Sequence, residues 1–320
     1  MTDRDAAPRV VVVGEALVDI VHRADGRVDE SPGGSPANVA LALGRLGRAP
    51  RLVTRLGDDR HGRGVRAWLI DSEVTVDAVP ALRTATATAR LDAAGAAEYE
   101  FDLEWALEGA SVADADIVHA GSIGALLPPG GDEVARLAAD LAGTALVTFD
   151  PNVRPSLLGD PAAARTRVTG YLGVADVVKA SEEDLAWLHP DLSPLEAAQR
   201  WHDAGPAVVV VTRGGEGCLA VTDAGVLEVP AVTVSVVDTV GAGDTFMGTL
   251  IDGLLGAGYR DVTHRARLRG IPPAELEAIL RVCAEAAAIA VSRPGADPPS
   301  RAELDSTISA RLQAATSTKG

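Results

Sequence analysis

The sequence is poor in aromatic side chains, cysteine and positive charge, and these shortages exclude several classes of protein. Two cysteines, Cys218 and Cys283, are too few for a disulfide framework, and their apolar surroundings favour buried free thiols. The net charge of −16 argues against a nucleic-acid or anionic-membrane partner, because such a surface repels phosphates. No apolar run approaches the ~20 residues of a membrane span. Since residues 2–8 are polar and unlike a signal peptide, we expect a cytoplasmic protein.

The rest of the composition is that of a globular protein. Hydrophobic residues make up 47% of the 320 positions and aromatics only 3%, so alanine and β-branched side chains must build the core. A chain of this length can bury a full core, and we expect residues 1–320 to form a single domain.

Strand and helix patterns alternate regularly from residue 115 onward. This alternation predicts a doubly wound α/β fold, with a mainly parallel sheet flanked by helices and ligands bound beyond the carboxyl ends of the strands. The predicted strands span residues 10–13, 51–55, 116–120, 145–149, 174–179 and 207–212. The predicted helices span residues 36–46, 61–73, 131–142, 162–172, 181–204 with a break at Pro190, and 272–292.

Two hairpin patterns interrupt the α/β alternation. Residues 84–91 and 98–105 flank a turn at Ala94-Gly95, and the second arm alternates apolar side chains, including Phe101, with acidic ones. A weaker hairpin pattern spans residues 18–30. A small β-sheet inserted in a parallel-sheet core predicts a lid over a binding site. A structural ornament or a dimer-forming edge is the alternative interpretation, and it is compatible with a lid.

The stretch Asp238-Thr239-Val240-Gly241-Ala242-Gly243-Asp244-Thr245-Phe246 carries the strongest functional pattern. A strand is predicted before it, at 233–237, and a buried helix after it, at 246–255. Residues 241–243 would then lie at a helix start, where free N–H groups and the helix dipole bind anions and small residues admit a phosphoryl group. Asp244, in the first turn, can act as base towards a hydroxyl. An ordinary helix N-terminus with an acidic first turn is the alternative interpretation.

A second glycine-rich stretch, Gly33-Gly34-Ser35-Pro36-Ala37-Asn38-Val39-Ala40, opens the predicted helix at 36–46. Pro36 suits a first helical turn, and the two glycines allow a ligand to lie against the backbone. Asn38 is a poor residue for a helix interior, so we expect its side chain to have a use. An amide can donate to one hydroxyl and accept from another, which suits a polyol. Local capping of the helix start is the alternative.

Together the two stretches resemble the C-terminal and N-terminal signatures of the ribokinase-like, phosphofructokinase-B family of carbohydrate kinases. They lie in the family's order and at roughly its spacing, and the similarity runs from about Val10 to about Pro298. The resemblance implies a ribokinase-like fold with a lid, ATP and Mg²⁺, and transfer of the γ-phosphoryl group to a primary hydroxyl. The sugar-binding residues that it implies are Asp19, Gly33, Gly34, Asn38 and Phe101. For Asp19 the alternative is a turn aspartate near a strand end.

Asp150-Pro151-Asn152-Val153-Arg154 follows a predicted strand and resembles the family's D-P-N-x-R loop. The resemblance implies that Asn152 and Arg154 contact sugar or phosphate. Arg154 could instead form a salt bridge with the acidic surface.

Lys179-Ala180-Ser181-Glu182-Glu183-Asp184 occupies the place of the family's N-x-x-E motif, which is linked to Mg²⁺ and phosphate. Ser181 replaces the asparagine and Asp184 the glutamate, so the motif leaves open whether Glu183 or Asp184 acts on Mg²⁺ through water. Lys179 and Ser181 are implied at the nucleotide. An S-x-x-D sequence at a helix start is also an ordinary capping box.

Two segments resemble the nucleotide-binding parts of the family. In Val211-Thr212-Arg213-Gly214-Gly215-Glu216-Gly217 the resemblance places Thr212 and the glycines near the ATP phosphates and ribose, with Arg213 able to pair with the triphosphate; the stretch alone equally suits a β-turn. The segment from Ala287 resembles the adenine-side closing segment. Related enzymes place a monovalent cation, K⁺, at positions that correspond here to Asp238, Val240, Ser292 and Gly295.

The expected substrate is a small neutral sugar. The G-G-S-P-A-N and G-D-T-F-M-G sequences are most similar to those of fructokinases, and no Lys or Arg lies between Arg90 and Arg136 to bind a substrate carboxylate from the lid. The alternatives are a 2-keto-3-deoxygluconate kinase, with Arg154 as the cation, and then a ribokinase. A catalytically silent sugar-binding relative is the alternative from another class. Related kinases dimerise through their lids, so a homodimer is also possible.

Overall fold

The computed structural model describes residues 8–23, 25–91 and 97–317. The strands within these ranges are β1 (Val10–Val13), β2 (Leu17–His22), β3 (Val28–Gly33), β4 (Arg51–Gly57), β5 (Thr75–Ala81), β6 (Thr86–Leu91), β7 (Ala97–Asp102), β8 (Ile117–Gly121), β9 (Leu146–Asp150), β10 (Val177–Ser181), β11 (Val208–Thr212), β12 (Cys218–Thr222) and β13 (Gly225–Val229). The helices are α1 (Ser35–Arg45), α2 (Arg60–Ile70), α3 (Ser122–Leu126), α4 (Gly130–Leu141), α5 (Pro155–Leu158), α6 (Pro161–Leu172), α7 (Glu182–Leu188), α8 (Pro194–Asp203), α9 (Ala242–Gly256), α10 (Arg265–Arg269), α11 (Pro273–Val291) and α12 (Arg301–Ser317).

Nine strands form the core sheet in the order β13-β12-β11-β10-β9-β8-β1-β4-β5. The pairs from β11 to β5 are parallel, whereas β12 and β13 are added antiparallel at one edge. From β1 the chain builds the sheet outward to β5, and it then returns to the other side of β1 at β8. The fold is therefore the doubly wound α/β fold predicted from the alternation, with its topological switch point between β1 and β8.

Both faces of the inner strands of the core sheet are buried, which explains the runs of valine in β1 and β11. One face packs beneath α1, α9 and α11, with Val10 and Val12 of β1 pointing towards these helices. The other face packs against α3, α4, α6, α7 and α8, and receives Val11 and Val13. Because the inner parallel strands from β1 to β11 are covered on both sides, the loops at their ends are the places where a site can form.

The second sheet has four strands in the order β3-β2-β6-β7. β2 and β3 form one antiparallel hairpin, β6 and β7 form the other, and β2 joins them through parallel pairing with β6. The small inserted sheet expected from the two hairpin patterns is thus confirmed, although the pairing between the hairpins is parallel. The turn predicted at Ala94-Gly95 lies outside the described residues.

The strand predicted at 233–237 is wrong. This segment has no strand partner among the residues that the structure describes, and the N–H groups of Val237 and Asp238 both donate to the carbonyl of Val291 at the end of α11. The side chains of Val236 and Val237 are more than half exposed. β-Branched residues favour a strand only where a neighbouring strand is available, and the sheet already ends at β13.

The other predicted strands and helices are present with shifts of a few residues at their ends, and the long segment 181–204 is divided into α7 and α8 around Pro190. Among helices of the described ranges, none combines the length and the apolar character needed to cross a membrane.

Candidate active site

The carboxyl ends of four neighbouring strands meet beside the switch point of the core sheet. Glu15 follows β1, Gly121 ends β8, Asp150 ends β9 and Ser181 ends β10. The N-termini of α1 and α9 face the same region, since side chains from both helices meet there. This edge therefore combines polar side chains with helix starts, as expected for a ligand site in an open α/β sheet.

A close contact between α1 and α9 sets the positions of the two glycine-rich stretches. Gly248 of α9 packs directly on α1, because a Cβ atom at this position would lie 2.8 Å from Ala42 Cβ and 3.2 Å from the Val39 carbonyl oxygen. Gly248 and Ala42 each lie one helical turn after a functional candidate, Asp244 and Asn38 respectively. The small residues at this contact bring the helices close enough for the side chains of Asp244 and Asn38 to meet one turn earlier in each helix.

Three polar side chains hold the carboxylate of Asp244. Its Oδ2 accepts a hydrogen bond from Asn38 Nδ2 at 2.8 Å, and its Oδ1 accepts from Ser35 Oγ at 2.6 Å and from Asn152 Nδ2 at 3.2 Å. Asn152 Nδ2 also donates to Ser35 Oγ at 2.8 Å. Asp244 is buried. The sequence motifs at Gly33–Ala40, Asp150–Arg154 and Asp238–Phe246 are thus brought together around one carboxylate.

Asn38 does not cap its own helix, so the capping alternative is excluded. The N-cap residue of α1 is Gly34, without a side-chain cap, and its φ of 100° is one that glycine adopts readily. Asn38 Oδ1 is buried without a hydrogen-bond partner among the described residues. A buried acceptor of this kind is costly unless something pairs with it. A ligand hydroxyl beside Asp244 would satisfy it.

The start of α9 has the form of an anion-binding site. Gly241 is its N-cap in a left-handed conformation, with φ 73°, and the N–H groups of the first turn have no helical partner. A Cβ atom on Gly243 would lie 3.0 Å from Lys179 Nζ. A buried ammonium therefore lies beside the helix N-terminus, and both would attract the same negative group.

Lys179 and Asp150 form a buried ion pair at the ends of β10 and β9, with 2.8 Å between Lys179 Nζ and Asp150 Oδ2. Burial lowers the pKa of Lys179, but the carboxylates of Asp150, Asp184 and Asp244 outweigh burial, and the pKa is raised above its ordinary value. Burial raises the pKa of Asp150 to about 6, opposed by the charge of Lys179. At neutral pH both groups are charged, and Asp150 Oδ1 has no partner among the described residues.

Asp19 lies within β2, opposite Ser31 of β3, and not in a turn. The turn alternative is thereby excluded. Its carboxylate contacts Gly33, where a Cβ atom would lie 2.1 Å from Asp19 Oδ2, so glycine is required for this approach. Burial raises the pKa of Asp19 to about 6, against the opposing positive charge of Arg154. Asp19, Gly33 and Arg154 thus lie near one another on the lid side of Asp244.

Arg154 Nη1 donates to three oxygens of its own loop, namely the carbonyls of Asn152 and Val153 and Asn152 Oδ1. Within the described ranges no carboxylate oxygen lies within the 4 Å of an ion pair, although its charge acts on Asp19 and Glu15. The surface salt bridge considered for Arg154 is therefore absent there. Asn152 has φ 33°, a strained conformation for a side-chain-bearing residue and typical of functional loops.

Apolar side chains of the small sheet and of α3 form one cluster. Its buried members are Leu17, Ala85, Ala87 and Ile123, and Phe101, Leu103, Leu127 and Leu157 pack against them half-buried. The cluster joins the small sheet to the core beside Asp19. Phe101 is thus brought to the lid side of the site, as its alternation pattern predicts.

The motif at Lys179–Asp184 forms the capping box considered as its alternative. Ser181 Oγ accepts from the Asp184 N–H at 3.0 Å, and Asp184 Oδ2 accepts from the Ser181 N–H at 2.8 Å. Asp184 Oδ1 accepts from the N–H of Val153 at 2.7 Å, which ties the helix start to the loop of Asn152. Glu183 is exposed. In the described ranges no three His, Cys, Asp or Glu side chains are grouped as a metal site.

The nucleotide-side candidates lie along the next strands of the sheet. Arg213 Nη2 is paired with Glu228 Oε2 at 2.9 Å, whereas Gly214 and Gly215 border open space, with no atom within 4 Å of a Cβ position. Asp238 joins two loops, because it accepts from the N–H groups of Val240 at 3.0 Å and Gly295 at 2.9 Å. The remaining candidates are Thr212 at the end of β11, Gly217 after it, Ala287 half-buried on α11, and Ser292 at the end of α11.

Comparison with known proteins agrees with this geometry. The family model described as pfkB family carbohydrate kinase matches residues 7–303. The chain belongs to this family. A fructokinase of Klebsiella pneumoniae is 34% identical over 265 residues, which cover 79% of this chain and 86% of that protein.

Two solved fructokinases superpose closely on the structure. A fructokinase of Xylella fastidiosa with bound ATP has a TM-score of 0.84 at 28% identity, covering 95% of this chain and 99% of that one. A double mutant of the fructokinase of Vibrio cholerae O395, with fructose, ADP and potassium ion bound, has a TM-score of 0.77 at 28% identity, covering 93% and 96%. The ribokinase-like fold is confirmed. The chain is a carbohydrate kinase, a phosphotransferase acting on a sugar.

Three features of this kinase site did not follow from the sequence motifs. The motif that contains Ser35 does not indicate that its hydroxyl joins Asn152 to Asp244. Lys179 was assigned to the nucleotide without its buried partner Asp150. Glu15, which is buried after β1, belongs to none of the motifs. The available signal was an acidic residue at the end of an apolar strand sequence, since Glu15 follows Val10–Val13 after one glycine and Asp150 directly follows Phe149.

Proposed function

We propose that this carbohydrate kinase transfers the γ-phosphoryl group of MgATP to the primary hydroxyl at C6 of fructose, giving fructose 6-phosphate. The observation that carries the proposal is the position of Asp244. Its carboxylate lies between the unpartnered amide oxygen of Asn38, which suits a sugar hydroxyl, and the N-terminus of α9 with Lys179, which suits a phosphoryl group. A base between a hydroxyl site and an anion site is what phosphoryl transfer requires.

Asp244 would accept the proton of the attacking hydroxyl. Because the transition state of phosphoryl transfer is largely dissociative, the proton leaves late and the protein acts mainly through positioning and charge stabilisation. The N–H groups at residues 241–243 would stabilise the charge on the transferring group, and Lys179 would add a full positive charge beside them. Asn38, Ser35 and Asn152 would hold the carboxylate in line with the hydroxyl.

The charges of the site support a nucleotide that arrives with Mg²⁺. Asp150, Asp184 and Asp244 surround one ammonium, so a free triphosphate would face net negative charge. Mg²⁺ commonly keeps several waters and binds between phosphates and one or two carboxylates, which fits a site without a ready cluster of ligands. Asp184, or the exposed Glu183, would hold it through water. When bound, the ion would neutralise charge on the phosphates.

The nucleotide would lie over the carboxyl ends of β10 and β11. We propose contacts with Ser181, Thr212 and the open glycine loop at 214–217, and an apolar base site beside Ala287. Arg213 would reach the triphosphate only by giving up its pair with Glu228. A monovalent cation, K⁺ by analogy with the Vibrio cholerae fructokinase, would bind where Asp238 joins the loops of Val240, Ser292 and Gly295.

The sugar would lie between Asp244 and the small sheet. Asp19 and Asn38 would bind its hydroxyls, Gly33 and Gly34 would allow its approach to the backbone, and the cluster containing Phe101 would exclude water as the sheet closes. Through its lid the chain could also form a homodimer. Fructose is favoured because the chain is similar to fructokinases and because Asp19 gives this side a negative charge.

A 2-keto-3-deoxygluconate kinase is the second candidate, and one observation favours it. Arg154 forms no ion pair within the described ranges, so its guanidinium could bind a substrate carboxylate. Its charge is already shared between Asp19 and Glu15, which is why the neutral sugar ranks first.

The experiment measures ADP formation with MgATP and fructose, 2-keto-3-deoxygluconate, ribose, tagatose or adenosine. The proposal expects fructose to give the highest kcat/KM and mass spectrometry to show one added phosphoryl group. A higher kcat/KM for the keto-acid would assign Arg154 to its carboxylate and overturn the fructose proposal. Sugar binding without turnover would instead indicate a catalytically silent relative.

A further inference from the structure

The chain crosses between the core and the small sheet near one buried residue, Gly124 in α3. Its N–H donates to Glu15 Oε2 at 2.7 Å, and its carbonyl accepts from Trp105 Nε1 at 2.9 Å. Glu15 lies on the first crossing, between β1 and β2, and Trp105 on the last, between β7 and β8. The backbone of this one residue therefore ties together the points where the chain enters and leaves the lid region.

The surroundings of Gly124 allow no other residue to take its place. A Cβ atom there would lie 2.5 Å from Glu15 Oε2 and 2.8 Å from Gly14 Cα. The preceding residue, Ile123, belongs to the apolar cluster that joins the small sheet to the core. A shift of the backbone at Gly124 would therefore move the wall of the proposed sugar site.

Glu15 also supports the second crossing, where the chain returns from β3 to α1. A Cβ atom on Gly34 would lie 2.7 Å from the Glu15 carbonyl oxygen and 3.0 Å from Ala16 Cα. Gly34 lies between Gly33, which contacts Asp19, and Ser35, which binds Asp244. The chain passes between the core and the small sheet four times, after β1, β3, β5 and β7. Glu15 is thus in contact with the first two of these crossings and, through Gly124, with the last.

We propose that Glu15 is a positioning residue of the sugar site, which through its bond to the backbone of Gly124 fixes the small sheet against the core. It touches no reacting atom and acts by accepting hydrogen bonds. Burial raises the pKa of Glu15 to about 7, opposed by hydrogen bonds from its own N–H, the Ser122 hydroxyl and the Gly124 N–H and by the charge of Arg154. At neutral pH much of it is uncharged, so glutamine can replace it as an acceptor.

The position of Glu15 predicts which kinetic constant it controls. β1 is separated from β11, which carries the proposed nucleotide loop, by three strands of the core sheet. Loss of the Glu15 acceptor should therefore raise the KM for the sugar with little effect on the KM for ATP. A general loss of stability would lower the amount of active enzyme and leave both KM values unchanged.

The test compares the steady-state kinetics of Glu15→Ala, Glu15→Gln and Trp105→Phe with those of wild type. It rests on the proposed function, because the KM for the sugar is measured with the best substrate of the panel. We expect a sugar KM at least tenfold higher in Glu15→Ala and severalfold higher in Trp105→Phe, near wild type in Glu15→Gln, and unchanged KM for ATP. Glu104→Gln is the matched control, because Glu104 directly precedes Trp105 in the chain and its exposed carboxylate pairs with Arg55. Wild-type sugar KM in Glu15→Ala, or equal increases of both KM values, would overturn the inference.

A readout without substrate separates this inference from the proposed function. Hydrogen exchange of the β2 and β6 amides should be faster in Glu15→Ala than in wild type and Glu15→Gln, whatever sugar the enzyme uses. If wild type turned over no sugar, the proposed function would fail and the exchange experiment would still decide the role of Glu15. Identical exchange in all three proteins would contradict that role.

Discussion

Replacement of Gly248 by alanine tests how closely the contact of α1 and α9 sets the base. The added Cβ atom would lie 2.8 Å from Ala42 Cβ, whereas two carbon atoms need about 3.5–4.0 Å. The helices must therefore separate by about 1 Å at this turn. The bond from Asn38 to Asp244, 2.8 Å long and one turn away, would then exceed hydrogen-bond length.

The expected loss is large in turnover and moderate in stability. A misplacement of about 1 Å at a reacting group can cost on the order of 10²-fold in rate. Overpacking in a core costs about 1–3 kcal/mol. We therefore expect Gly248→Ala to remain folded and to lose about one to two orders of magnitude in kcat, measured by ADP formation, with urea unfolding as the stability assay.

Gly253→Ala is the matched control, since it lies on the same helix but faces α11. Its Cβ atom would lie 2.6 Å from Ile279 Cγ2, the end of a side chain that can move. It should lose stability to a similar extent and keep near wild-type kcat. If Gly248→Ala kept full turnover, or if both variants lost turnover equally, then the contact would not position the base.

Three further predictions concern buried polar groups of the site. Lys179→Met should lower the unfolding free energy by about 3–5 kcal/mol, because it leaves Asp150 buried without its partner, and should lower kcat about 10²-fold. Wild-type values in urea unfolding and in turnover would contradict this prediction. Asn38→Ala should raise sugar KM about tenfold while ATP binding, measured by calorimetry, stays constant; equal loss of both would argue against a sugar contact. The pKa of Glu15 is raised to about 7 in the folded state, so its contribution to the free energy of unfolding is full below its unfolded pKa and is lost as pH rises towards 7. Between pH 4.5 and 7 the unfolding free energy of Glu15→Gln should therefore rise by about 3 kcal/mol relative to that of wild type. A difference between the two proteins that stays constant with pH would show that the pKa is not raised.

The sequence predicts the core fold well because the pattern of apolar residues and the backbone preferences that determine it are properties of neighbouring residues in the chain. Continuous valine runs separated by amphipathic stretches leave few arrangements other than a covered parallel sheet. The two glycine-rich motifs predict helix starts because proline and glycine restrict the backbone directly. The failed strand at 233–237 shows the limit, since strand formation depends on a partner that local sequence does not reveal.

The inner contacts of the site were less predictable because they join residues far apart in the chain. Ser35 and Asp244 are 209 positions apart, and a serine in a glycine-rich motif suits many local roles. The same holds for Glu15, whose partner Gly124 is 109 positions away. Local patterns indicate which residue types are available, and packing decides which of them meet.

The central claim is that Asp244 acts as the base of phosphoryl transfer, and its replacement by asparagine tests this most directly. Asn keeps the size of the side chain and can still bind Ser35 and Asn38 after a flip of the amide, but it cannot accept a proton at neutral pH. The measurement is the rate of ADP formation by Asp244→Asn with saturating fructose and MgATP, alongside fructose binding by calorimetry. The account predicts a fall in kcat of at least about 10²-fold, typical of removing a general base, with fructose binding retained. Turnover equal to that of wild type would contradict it.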